Sequence, residues 1–170
     1  MSKYHWESTF TELFHRCIAK LKAGNSDFES HYTGEDREFL KSIGYKTREF
    51  FDFVEDYCDF ADPSIESAIL TASARRDYLD VVQGGKTSSR QLSADDLPPK
   101  DASLDGIPWL PRIIAKARAK LRGELHPDMM FGCGGDRQFL RTHDIHPADF
   151  LRAVWAAGDD DQKILDYIRR

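Results

Sequence analysis

Gly34-Glu35-Asp36-Arg37-Glu38-Phe39-Leu40 and Gly134-Gly135-Asp136-Arg137-Gln138-Phe139-Leu140 share the pattern Gly-x-Asp-Arg-x-Phe-Leu at an offset of 100 residues. Working outward in the same register, Ala19-Lys20-Leu21 falls on Ala119-Lys120-Leu121, and Phe50 and Val54 fall on Phe150 and Val154. Amphipathic helices are generic enough to align one such pair by chance. Three segments in one register without a gap are harder to obtain that way, and repeats of this length normally mean repeated structure. The chain therefore reads as all-α: two similar small helical bundles related by internal duplication and packed together. The expected division is an N-terminal copy at 1–83, a polar linker at 84–106 and a C-terminal copy at 107–170.

Helical periodicity supports this reading. Phe10, Leu13, Phe14, Cys17, Ile18 and Leu21 recur on one face after Thr9, which with Glu12 has the spacing of a capping box. Asp36 and Thr47 are expected caps for the next two helices, and Asp62-Pro63 for a fourth carrying Ile65, Ile69, Leu70 and Tyr78-Leu79. In the second half Pro108 and Pro111 open a helix, Asp136 caps the next, Pro147 begins a third, and Asp159-Asp160-Asp161 caps the last. No period-two strand is evident. Between the halves, Gly84-Gly85, Ser88-Ser89, Asp95-Asp96 and Pro98-Pro99 predict an exposed connection.

Composition narrows the class. Of 170 residues, 41% are hydrophobic and 31% charged, with a net charge of −5, which is globular rather than disordered and gives no electrostatic reason to bind nucleic acid. No apolar stretch approaches the roughly 18 residues that cross a bilayer, so no membrane partner is expected. Met1 to Phe10 lacks the apolar core of a secretory signal. The three cysteines, Cys17, Cys58 and Cys133, form no Cys-x-x-Cys pair, and a reducing cytoplasmic location is the expectation.

Pro108-Trp109-Leu110-Pro111-Arg112, Lys116-Ala117-Arg118-Ala119-Lys120-Leu121, Phe131-Gly132-Cys133, Asp136 and Phe139-Leu140 resemble a bacterial family catalogued as domain of unknown function 5069. That family's usual pattern is aromatic-Leu-Pro-Arg, a Lys-x-Arg-rich helix, aromatic-Asn-Cys-Pro-x-Asp and a Phe-rich amphipathic end. The resemblance spans roughly Ile107 to Arg170. Gly132 stands where Asn is usual and Gly134 where Pro is usual. The first half resembles the family more distantly through Cys17, Lys20-Leu21, His31-Tyr32 and Asp36, with Thr33 in the place of the cysteine. The resemblance implies an all-helical fold and brings no activity with it.

Three constellations are candidates for chemistry. Gly134 and Gly135 after Cys133 allow a tight turn whose amides could meet an anion, and a cysteine just ahead of a helix can become nucleophilic. Against this, Asp136 is placed to take those amides for itself, with Arg137 only partly offsetting its charge. Arg112, Lys116 and Lys120 share a helical stripe with no acid in the segment, which suits either a solvated face, pairing with Asp159-Asp160-Asp161, or an anion site. His126, His143, His146 and Cys133 suggest a metal, but the copy-one equivalents of His143 and His146 are Ile43 and Lys46, and no metal or cofactor is expected. Nucleotide, hydrolase and metalloprotease motifs are absent.

The expectation is a binding module for a small anionic molecule in a cleft between the copies. Its lining would be Arg112, Lys116, Arg137 and the turn Cys133-Gly134-Gly135, with His31 in the matching loop of the first copy. Two alternatives stand beside it. One is a cofactor-independent enzyme in the same cleft with Cys133 as nucleophile or proton donor. The other is an interaction module gripping a protein partner.

Overall fold

The computed structural model describes residues 3–170, which form eight α-helices and one short hairpin. The helices are α1 (Trp6–Lys22), α2 (Gly34–Ser42), α3 (Thr47–Phe60), α4 (Ile65–Val81), α5 (Leu110–Arg122), α6 (Gly134–Thr142), α7 (Pro147–Ala157) and α8 (Asp161–Ile168). The hairpin pairs β1 (Ser103–Leu104) with β2 (Ile107–Pro108), antiparallel, with Leu104 opposite Ile107. The protein is all-α in class. It divides into two compact units, one ending at Arg76 and the other running from Asp77 to Arg170.

In the first unit the apolar stripe of α1 is fully buried at Phe10, Leu13, Phe14 and Cys17. It packs on α3, where the Phe50 ring sits edge-on to Phe10 and Phe14 at 4.8 and 5.6 Å. Such pairs add about 0.5–1.5 kcal/mol each beyond area burial. Burial in this aromatic core pushes the Cys17 thiol up to about 11, so this cysteine is inert packing. The helix begins at Trp6, before the expected Thr9. The Thr9 hydroxyl instead bonds back to the His5 carbonyl at 3.5 Å from within the helix.

The remaining ends of this unit also shift by a few residues from expectation. Thr33, not Asp36, is the N-cap of α2, and Asp36 lies three residues in. Lys46 precedes α3, with its amide donating to the Glu49 carboxylate at 3.1 Å, so Thr47 is the first helical residue rather than the cap. Ser64 accepts from the Ser67 amide at 3.2 Å and starts α4 two residues after Asp62. The buried face of α4 is Ala68, Thr71, Ala72 and Arg75, whereas Leu70 is 44% exposed. The Arg75 guanidinium, itself buried, donates to the Gly44 carbonyl at 3.1 Å.

In the second unit α5 buries Leu110, Ile113, Ile114, Ala117 and Leu121 against α7, and α7 packs on α8. Phe150 of α7 stacks on Phe131 at 6.4 Å. The polar stretch expected as an exposed connection is tied down along this unit. Leu92 bridges to Leu125, its amide reaching the Glu124 carbonyl at 2.7 Å. The Ser88 hydroxyl donates to the Glu124 carboxylate at 2.8 Å. Leu97 is buried. These few hydrogen bonds and one apolar anchor hold Pro98-Pro99-Lys100 beside α5, and they supply part of the candidate site.

Candidate functional site

Asp136, fully buried three residues into α6, organises the site. Its carboxylate accepts from the Trp109 indole Nε1 at 3.0 Å, from the Gly132 amide at 3.0 Å and from the Lys116 ammonium. Three donors on one buried carboxylate satisfy a charge that would otherwise be costly to desolvate. Cys133 is the N-cap of α6, makes no side-chain cap bond, and receives the Lys116 ammonium on Sγ at 3.3 Å. Lys116 therefore bridges carboxylate and thiol from α5.

The backbone around this bridge is held from both sides. Arg137 folds back and donates to the Gly132 carbonyl, while Asp136 takes the amide of the same residue. Gly132 has φ of +85°, a conformation glycine adopts without steric cost. Trp109 is more strained, a bulky residue at φ of +70° at the N-cap of α5. Its ring lies against Gly135, where an added Cβ would meet indole carbons at 2.8 and 3.0 Å. Gly135 is thus required by the indole rather than by any unusual φ.

A cavity of about 420 Å³ opens beside this bridge, with Trp109, Arg112, Lys116, Cys133 and Gly135 on its wall and Leu97, Lys100, Asp128, Met129 and Met130 completing it. The Arg112 guanidinium donates to the Pro98 carbonyl at 2.7 Å. Neither Arg112 nor Lys100 pairs with a carboxylate among the described residues. The acid on the rim, Asp128, is 89% exposed and faces His126 at 3.3 Å.

Of the residues singled out from sequence, Arg112, Lys116, Cys133 and Gly135 share this cavity wall. Gly134 is exposed on the first turn of α6. Arg137 is buried against its own loop, and the charge of Asp136 is met by Lys116 instead of Arg137. His31 belongs to the first unit, buried, with Nε2 3.0 Å from the Asn25 carbonyl. The basic stripe is neither solvated nor free along its length. Lys116 and Lys120 are buried, Arg118 pairs with Asp161 at 2.7 Å, and Arg122 lies 3.5 Å from Asp159.

The histidines take local roles. His146 caps α7, its Nδ1 accepting from the Ala148 amide at 3.2 Å, and His143 lies 4.7 Å from the Phe139 ring. Among the described residues no group of three or more His, Cys, Asp or Glu side chains is placed to share a metal. Lys100 was missed at the level of sequence because its segment carried only turn residues. The one available signal was Leu97, an apolar residue directly before Pro98-Pro99.

The positions 100 residues earlier in the chain also hold an ion pair at the start of a helix. Arg16 pairs with Asp36, each 100 residues before Lys116 and Asp136. The Thr33 hydroxyl accepts from the Asp36 amide at 3.2 Å while the Asp36 carboxylate accepts from the Thr33 amide at 2.9 Å. Burial acts to raise the Asp36 carboxyl, but the Thr33 amide and the Arg16 guanidinium outweigh it and hold it below the ordinary carboxylate range.

Residues 98–170 are similar to the family described as domain of unknown function (DUF5069). No curated protein and no solved structure matches the chain.

Proposed function

We propose that the second unit binds a small anionic molecule in the cavity beside Lys116 and Cys133. One observation carries the reading: Arg112 and Lys100 reach the same cavity with no carboxylate partner, while Lys116 and Arg137 are committed to the protein itself. A guanidinium and an ammonium converging on a partly enclosed space suit a carboxylate or phosphate. Every residue of this set lies in the stretch that resembles the family. The same stretch and its counterpart at 16–54 are read as an ancient duplication in which the second copy acquired the site. Supporting this, α2 and α6 span the same positions 100 residues apart and end with nearly identical backbone, φ/ψ of −101°/7° at Ile43 and −102°/6° at His143. A cytoplasmic location fits the reduced cysteines.

Calorimetry of the full chain with acetate, succinate and inorganic phosphate tests the proposal. Binding to at least one, weakened about tenfold or more by Arg112→Ala and by Lys100→Ala, is the expected result, since an ionic hydrogen bond contributes about 1.5–3 kcal/mol. No binding, or binding indifferent to both substitutions, overturns it.

A second reading rests on the 3.3 Å contact between the Lys116 ammonium and Cys133 Sγ at the cavity wall. It makes Cys133 the nucleophile or proton donor of a cofactor-independent enzyme. Iodoacetamide would then modify Cys133 ahead of Cys58, and a bound carboxylate would slow it. Equal rates at the two thiols, with no protection, remove this reading.

A further inference from the structure

The cationic cavity has a neighbour of opposite character. A groove of about 570 Å³ runs between the hairpin and α6, walled by Ile107, Pro108, Trp109, Gln138 and Phe139, and no Lys, Arg, Asp or Glu lines it. Trp109 and Gly135 border both spaces. The indole is pinned by its bond to Asp136 and by contact with Gly135, so it forms a fixed partition with cations on one side and an apolar trough on the other.

Building on the anion reading above, we propose that the ligand is an amphipathic organic acid. Its carboxylate meets Arg112 and Lys100, and a flat apolar tail crosses Trp109 into the trough of Pro108 and Phe139. Three observations favour this occupant over a bare inorganic anion. Lysine, arginine and carboxylate side chains stop at the partition, and the polar groups in the trough are Gln138, Thr142 and the imidazole of His143. Its walls combine an indole, a phenyl ring and a proline ring, surfaces that gain from covering a planar apolar group. The strained backbone of Trp109 is retained where the two spaces meet, and strain of this kind collects at ligand clamps. The tail class is aryl or short acyl.

The test compares acetate, 3-phenylpropionate and the neutral 3-phenylpropionamide against the full chain by calorimetry. Expected is binding of 3-phenylpropionate about tenfold or more tighter than acetate, because partial burial of a phenylalkyl tail is worth that factor, with the amide weak. Phe139→Ala abolishes the difference between acid chains while leaving acetate unchanged. Because that substitution also removes packing against His143, a second measurement stands free of it. In the unmutated protein, ring protons of bound 3-phenylpropionate show NOEs to Ile107 and Phe139. Equal affinity for acetate and 3-phenylpropionate, or NOEs to Leu97 and Met129 instead, overturns the amphipathic ligand and leaves the anion site standing. An amide as tight as the acid overturns both, as does no binding at all.

Discussion

Two turns with the shared sequence Gly-x-Asp-Arg-x-Phe-Leu are closed by different bonds. In the first unit the turn before α2 closes on itself: Thr33 and Asp36 exchange bonds as a capping box, and Arg16 covers the carboxylate with half its side chain in solvent. In the second unit the capping hydroxyl is replaced by Cys133, which makes no cap bond. The carboxylate of Asp136 turns inward to Lys116, Trp109 and the Gly132 amide. The difference follows from three positions. Trp109 stands where the first unit has Thr9, Gly135 where it has Glu35, and Cys133 where it has Thr33. Together they exchange a locally satisfied helix start for one that organises a cavity wall.

The largest contrast is expected from removing the two aspartates. Asp136→Ala leaves a buried ammonium and an indole N–H without their acceptor, and should cost about 3–5 kcal/mol. Asp36→Ala removes a cap partner and a half-exposed ion pair, and should cost about 1–2 kcal/mol. Urea denaturation of both variants measures the difference, and equal losses would break the claim that the two turns carry different loads. Next comes Gly135→Ala, which drives a methyl into the Trp109 ring and should cost about 1–3 kcal/mol. Gly34→Ala, with nothing within 4 Å of the added Cβ, should change stability by under about 0.5 kcal/mol.

Acid separates the units next. The Asp36 carboxyl titrates below its unfolded value of about 3.9. Its contribution is therefore complete above that pH and is lost as pH falls through the folded value. Trp6, buried in the first unit, should report an acid transition that Asp36→Asn, which lacks this contribution at every pH, shifts toward higher pH and makes shallower; an unchanged transition contradicts the role given to Asp36. A small gain rather than a loss is expected from Cys133→Ser. A serine hydroxyl restores the cap that Thr33 supplies, and should stabilise by about 0.5–1 kcal/mol. A gain there with weaker ligand binding would mean that the cysteine is kept for the site rather than for the helix.

Helix identity and register were legible because both depend on local periodicity. Phe10 to Leu21, Phe50 to Val54 and Leu110 to Leu121 announce their buried faces at 3.6-residue spacing. Caps were misplaced because Asp36 and Asp136 act at the third helical residue, reaching back, and sequence alone does not distinguish that from a cap. On α4 the expected Leu79 is buried, but the rest of the inward face was misread because Ala68, Ala72 and Arg75 are less conspicuous than Ile69 and Leu70. Of the residues bordering the cavity, Arg112, Lys116 and Cys133 had been singled out from charge and spacing. Which of the cations were already spent was not, because that depends on Asp136 and Pro98 meeting α5 across 20 and 14 residues of chain.

The most direct test uses the indole N–H resonances of Trp6 and Trp109 as one probe in each unit. In a titration of the full chain with 3-phenylpropionate, the Trp109 indole should shift and saturate with the calorimetric affinity, while the Trp6 indole stays still and Arg112→Ala abolishes the change. A Trp109 indole that stays unmoved at saturating acid, or two indoles that drift together, would contradict a ligand site confined to the second turn.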